Sequence, residues 1–187
     1  MTQRRDARLN RARLVAAAEE VFETHGSAVS LDLVAEHAGV GRATLYRHFP
    51  DRPALVAAVF DARVDALERR VAGMPGADAL HLLVHAIGAR QVASPGLLTT
   101  VRRSQDGVAH LEAVTVRVRG LLARALADAH AAGAARPDAT TADVMLVFAM
   151  LEGVVALRGP DEAAAAVERA ADLALRGILH AGVPARR

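Results

Sequence analysis

The chain reads as an all-α protein, and three observations carry that expectation. Apolar residues fill 52% of its 187 positions but aromatics only 3%, a balance in which alanine does much of the packing and helices are favoured over strands. The apolar positions recur at three- and four-residue intervals through most of the chain, which is the period of a helix with one buried face. Breakers gather between those stretches, at Gly26, Gly39, Gly73 to Gly76, Ser94-Pro95-Gly96, and Gly133 with Pro137.

Composition also bounds the function. The length allows one or two domains with a real core. A formal net charge of +2 is too small to argue for a nucleic-acid partner, but Arg4, Arg5, Arg8, Arg11 and Arg13 stand against Asp6 alone in the first thirteen residues, forming a basic arm. The absence of cysteine excludes disulfides, thiolate metal sites and cysteine nucleophiles. No apolar run approaches the length of a membrane span, so a cytoplasmic protein with no membrane partner is expected.

Taken in order, residues 1 to about 7 are polar and expected to be disordered, with helix from near Ala7. Leu14, Ala18, Val21 and Phe22 then form a stripe that stops at Gly26, a residue suited to the left-handed conformation after a helix. Ser30 is a good N-cap, because its hydroxyl can accept an otherwise unpaired backbone N–H. A helix therefore begins at Leu31, with Leu31, Val34, Ala35 and Ala38 on its inner face. Gly39 ends it, and Val40 anchors the turn. A second short helix spans about Arg42 to His48, with Leu45 and Phe49 inward. Phe22, Leu31, Val34, Leu45 and Phe49 should share one core.

The outward set on that second helix is Arg42, Ala43, Thr44, Tyr46, Arg47 and His48, and it contains no acid. Guanidiniums, a hydroxyl, a phenol and an imidazole on so short a helix suit a polyanion, and Arg can bond a guanine edge or a phosphate bidentately. Charges on a surface helix are ordinary by themselves. Joined to the cap, the glycine turn and the helix lengths, they describe a helix-turn-helix. Double-stranded DNA is then the partner, with Arg42, Thr44 and Arg47 as base readers. Tyr46, His48 and Arg52 are candidates for phosphate contact, and Ser30 adds a hydroxyl from the other side.

The run AGVGRATLYRHFPDRPAL resembles the DNA-binding signature of the TetR family of bacterial transcriptional regulators, in which a small-residue turn leads into a Thr-Leu-Tyr-x-His-Phe recognition helix. The resemblance covers about residues 8 to 70. It departs at Asp51, Arg52 and Pro53, where the family commonly has Ser-Lys-Glu; Arg52 keeps the charge and Asp51 can still cap. Residues 1–50 are accordingly expected to form the DNA-binding domain, and residues 51–187 an effector-binding and dimerisation domain.

Asp51 caps a long helix whose stripe runs from Leu55 and Val56 to Val71. Further helices are predicted from about Asp78 to Ser94, over 96–104, from about Gly107 to Ala132, over 138–158 and over 161–181. In the one from Gly107, Val108, Leu111, Thr115, Val118, Leu122 and Ala125 are read as inward. The 138–158 helix is apolar on nearly every side, so two of its faces need cover. The last helix is alanine-rich, with Val167, Ala170, Leu173, Ala174 and Ile178 as its stripe.

The resemblance implies a small-molecule pocket among the C-terminal helices and a homodimer formed through the last two long ones, with Val147 and Leu173 as candidates to face the partner. Leu83, Ile87, Arg102, Leu111, Val118 and Phe148 are candidate effector contacts, although aliphatics at that spacing are core first. Arg103 and Gln105 flank Arg102 and could meet an acidic ligand or simply lie on a solvated turn. His110 and Glu112 are equally open. His81 and His85 stand four apart, a spacing two metal ligands could share, but no third ligand is identifiable, and a polar face is the simpler reading. No metal and no cofactor are expected. No nucleophile elbow, phosphate-binding loop or HExxH pair is present, and the adjacent carboxylates Glu19-Glu20 and Asp161-Glu162 point too far apart to share a substrate and read as solvated surface. The reading is a DNA-binding transcriptional regulator, most simply a repressor released by an effector. The rival is a helical ligand-binding protein without DNA recognition; an enzyme is a distant third.

Overall fold

A computed structural model of the chain describes residues 2–26, 28–102, 105–158 and 160–180. Among them are nine α-helices: α1 Thr2–His25, α2 Leu31–His37, α3 Arg42–His48, α4 Arg52–Val71, α5 Gly76–Ala93, α6 Leu97–Val101, α7 Gln105–Ala131, α8 Thr141–Leu157 and α9 Pro160–Ile178. An isolated antiparallel bridge joins Ala135 to Leu179. Arg103 and the side chains of Arg4 and Asp161 lie outside the described residues. The all-α expectation holds. The first helix boundary is corrected: α1 begins at Thr2 rather than near Ala7, because a run of Gln, Arg and Ala has good helix propensity and no breaker interrupts it.

The helices gather into two compact units, residues 1–65 with 94–114 and residues 66–93 with 115–187. The division falls inside α4 and inside α7.

In the first unit α1, α2 and α3 pack pairwise. Leu14, Ala18, Val21 and Phe22 of α1 meet Leu31, Val34 and Ala35 of α2 and Leu45 and Phe49 at α3, and Leu55, Val56, Val59, Leu97 and Val101 close the same cluster. Every residue of the core read from the sequence is buried. A largely covered guanidinium lies beside them. The side chain of Arg63, only 9% exposed, bonds Glu19 Oε1 at 3.0 Å and approaches Glu23 Oε1 at 3.5 Å, and it donates to Ser94 Oγ at 3.1 Å. Two carboxylates of α1 thus compensate a guanidinium that burial would otherwise penalise. Glu19 is therefore a half-buried partner rather than solvated surface, while Glu20 bonds His37 of α2 at 2.7 Å. Val108, read as inward, is 40% exposed; Gly107, about 100° round the helix, is buried in its place, in line with Leu111 and Val114.

In the second unit α5, α8 and α9 pack against one another, and small residues set the spacing. A Cβ on Gly76 would fall on the Ala125 carbonyl oxygen and the Ala129 nitrogen, so the start of α5 lies directly on the backbone of α7. A Cβ on Gly88 would stand 3.0 Å from Val167 Cγ1 and 3.1 Å from Leu151 Cδ1, at the meeting of α5, α8 and α9. The start of α8 is set by a capping box that the sequence reading missed. Thr140 Oγ1 accepts from Asp143 N at 3.3 Å while Asp143 Oδ2 accepts from Thr140 N at 2.8 Å, so the helix begins at Thr141 rather than at 138. Two orientations are corrected. Val147 is buried, and α9 turns Ala163, Val167, Ala171, Leu175 and Ile178 inward while Leu173 faces out. An alanine-rich helix offers several stripes of similar apolarity, and the neighbouring helices choose among them.

Candidate nucleic-acid interface

Ser30 has extended backbone angles and its Oγ accepts from Asp32 N at 3.1 Å, which starts α2 as its sequence requires. The helix ends at His37 with Ala38 as its C-cap, and Gly39 follows at φ +65°, a conformation in which a side chain would be strained. Val40 N then returns to the Ala35 carbonyl at 3.0 Å, closing the turn in the manner of a helix end with a left-handed glycine. Gly41 caps α3 through its carbonyl, which accepts from Thr44 N at 2.8 Å and Leu45 N at 3.2 Å.

With Leu45 and Phe49 held in the core, the remaining positions of α3 divide by exposure. Arg42, Ala43, Tyr46 and Arg47 are exposed, while Thr44 and His48 are half-buried. Arg42 Nε lies 2.9 Å from Asp32 Oδ1, and its guanidinium stands over the Tyr46 ring at 5.7 Å. These contacts align a cation and a phenol along one edge of α3. The basic arm reaches the same region: the Arg11 guanidinium stacks on Phe49 at 5.1 Å, and Arg5, Arg8 and Arg13 are exposed on α1. The arm was legible from its arginines, but its placement against Phe49 was not.

The Arg52 Nη2 donates to the Val29 carbonyl, which ties the start of α4 to the loop before α2. Asp51 Oδ1 accepts from Ala54 N at 2.8 Å and caps α4 as expected. Asp32 was the partner that sequence reasoning overlooked; an acid in the first turn of α2, across the turn from the first residue of α3, was the available signal.

The candidate effector contacts are divided between the two units. Leu83 and Phe148 are buried in the second unit, with Ile87 and Val118 half-buried there. Arg102 and Leu111 belong to the first unit, where Leu111 packs on the core cluster. His110, also in the first unit, lies 3.1 Å from the Ala57 carbonyl and 3.2 Å from Asp61 Oδ2, so it is a contact between α7 and α4.

Comparison with known proteins agrees with this geometry. Residues 14–59, which contain α2, the turn and α3, match the family model described as bacterial regulatory proteins, tetR family. Among solved structures, a TetR transcriptional regulator from Streptomyces coelicolor is 29% identical over 90% of this chain and 98% of its own, with a TM-score of 0.71. The TetR transcription regulatory protein from Mycobacterium vanbaalenii is 32% identical over 83% of this chain and 95% of its own, with a TM-score of 0.66. The transcriptional regulator FadR from Bacillus subtilis, solved in complex with stearoyl-CoA, shares the fold at 15% identity, covering 89% of this chain and 98% of its own with a TM-score of 0.63. No curated protein matches the chain.

Proposed function

This chain belongs to the TetR family of bacterial transcriptional regulators, and on that premise we propose that it is a dimeric, cytoplasmic repressor that leaves its operator when a small molecule binds. The observation that carries the reading is the exposed, acid-free edge of α3, on which Arg42, Tyr46 and Arg47 project from a helix held by Leu45 and Phe49. A helix so anchored presents guanidiniums to a major groove in a fixed register, which base readout requires. In this reading Arg42 and Arg47 contact base edges. Thr44, half-buried, adds its hydroxyl to the same readout; Tyr46, His48 and the α1 arginines serve the phosphates. Ser30 serves as the cap of α2 and Arg52 as a tether, so both act on DNA through the placement of the helices.

Residues 51–187 then carry the partner and effector functions. Leu146 at 59%, Met150 at 50% and Leu157 at 86% exposure fall on one stripe of α8, and Leu173 at 53% faces outward from α9. Apolar residues of that size facing water in a row mark an interaction surface, and a second copy is the occupant that the family form supplies. Ile87 and Val118 remain the candidate effector contacts in the second unit. An effector that prefers one spacing of the two recognition helices shifts the dimer toward it and lowers operator affinity by the same factor that operator binding lowers its own. The acyl-CoA held by one neighbour makes long-chain acyl thioesters a reasonable first class to screen.

A gel-shift titration with the DNA upstream of the protein's own gene tests the reading, alongside sedimentation at micromolar concentration. A retarded, salt-sensitive complex and a dimer are expected. Failure to distinguish that DNA from random sequence at any salt concentration would sink the repressor and leave a ligand-binding helical protein. A monomer in sedimentation would remove the α8 and α9 interface.

A further inference from the structure

We propose that His81, His85 and Asp172 form a site for one divalent transition-metal ion of the zinc type, joining α5 to α9 within the second unit. The three candidate ligand atoms all lie within 4.8 Å of one another. His81 and His85 are one helical turn apart, and their rings stack with centroids 5.2 Å apart and planes inclined by 11°, so two imidazoles are presented side by side. Asp172 arrives from α9 and places Oδ1 3.1 Å from His85 Nε2.

Those separations suit a tetrahedral ion. Ligand atoms about 2.0–2.1 Å from zinc stand about 3.3 Å from one another. The pair of His85 and Asp172 is already near that separation, and no gap needs to close by more than about 1.5 Å, which rotation of half-exposed side chains supplies. Two imidazoles with one carboxylate select zinc, nickel or cobalt over magnesium and calcium, which prefer oxygen ligands throughout. One carboxylate leaves part of the ion's charge uncompensated, and the charge of Asp78, one turn before His81, also acts on this cluster. Burial first, and the nearby His85 second, hold the His81 imidazole below its ordinary pKa, against the opposing pull of Asp172 and Asp78. Three protein ligands leave a fourth position for water or a small anion. This site is independent of the operator and of the effector proposed above.

Tag-free protein stripped with a chelator and titrated with Zn(II) against a chromophoric competitor gives the stoichiometry and affinity, and Co(II) absorption reports the coordination geometry. One equivalent per chain is expected, with the intense visible bands of tetrahedral cobalt. H81Q, H85Q and D172N should each weaken Zn(II) by at least about tenfold, with circular dichroism showing that they remain helical, while H130Q should bind as the wild type does. Saturating Zn(II), about a hundred times Kd, should raise the wild-type Tm by about 5–10 °C and leave the three variants unmoved. Wild-type protein that takes up no Zn(II) at micromolar concentration overturns the site, whatever the variants do. Uptake that persists unchanged in all three variants also overturns it, because the ion is then held by other histidines.

Discussion

The two compact units are held together by different means. The first fills its centre with large side chains, Phe22, Phe49, Leu14, Leu45 and Leu55 among the most deeply buried, and sets one compensated guanidinium, Arg63, beside them. The second buries Leu80, Leu83, Leu122, Leu151 and Leu175, brings helices close over Gly76 and Gly88, and turns Leu146, Met150, Leu157 and Leu173 outward. Both units bury large side chains, but only the second also turns a row of them, Leu146, Met150 and Leu157, outward from one stripe of a helix. Such a row is apolar area for something else to cover, which is why we propose partner binding for the second unit and sequence readout for the first.

The sharpest way to break the comparison is to remove a large side chain from the first unit. Phe49→Ala should cost about 3–5 kcal/mol, as a cavity opens where α3 meets the core, and should abolish DNA binding of every sequence together with the first unit's thermal transition. Calorimetry in which the Phe49→Ala variant keeps the wild-type transition would mean that the core does not depend on that side chain. In the second unit the matching change is an addition. Gly76→Ala forces a methyl against the backbone of α7 and should cost about 1–3 kcal/mol or more, read as a lower urea midpoint; an unchanged midpoint would show that α5 and α7 can separate freely.

A comparable effect, read in affinity rather than stability, separates two arginines at the first unit's surface. Arg47→Ala should lose about 1–3 kcal/mol on the specific operator and relax preference at one base pair. Arg52→Ala, which releases the Val29 carbonyl, should weaken all sequences alike. Equal ratios of specific to random binding for wild type and the Arg47 variant, across a salt series, would remove Arg47 from base readout. The smallest effect concerns the second unit's local device. Thr140→Ala should cost about 1 kcal/mol by opening the cap of α8. The bond from the Thr140 side chain, and then its backbone N–H, lowers the Asp143 pKa. A carboxyl with a depressed folded-state pKa contributes stability above its unfolded value and loses it as pH falls through the folded one. The gap between wild type and Thr140→Ala should therefore narrow in acid, measured by thermal melts on either side of the carboxylate range.

Much of the first unit was legible from residues close together in the chain. Ser30, Gly39, Leu45 and Phe49 specify a cap, a left-handed turn and an anchored helix through contacts spanning only a few positions, so their order along the chain is nearly their geometry. The candidate DNA face was legible for the same reason, since three- and four-residue spacing decides which side of a short helix is wet. What remained hidden depends on groups distant in sequence. Glu19 meets Arg63, and Asp172 meets His85, only because separate helices are packed together; no local pattern in either helix marks its partner. The choice of Leu175 over Leu173 as the inward residue of α9 has the same origin. The sequence by itself determined which stretches are helical, where the chain turns and which short helix carries a basic edge, though not every helix's first residue, because backbone hydrogen bonding and side-chain period are local. Only the tertiary structure decided which stripe of each alanine-rich helix is buried and which charged groups meet, because those follow from the shape and chemistry of the neighbouring helices.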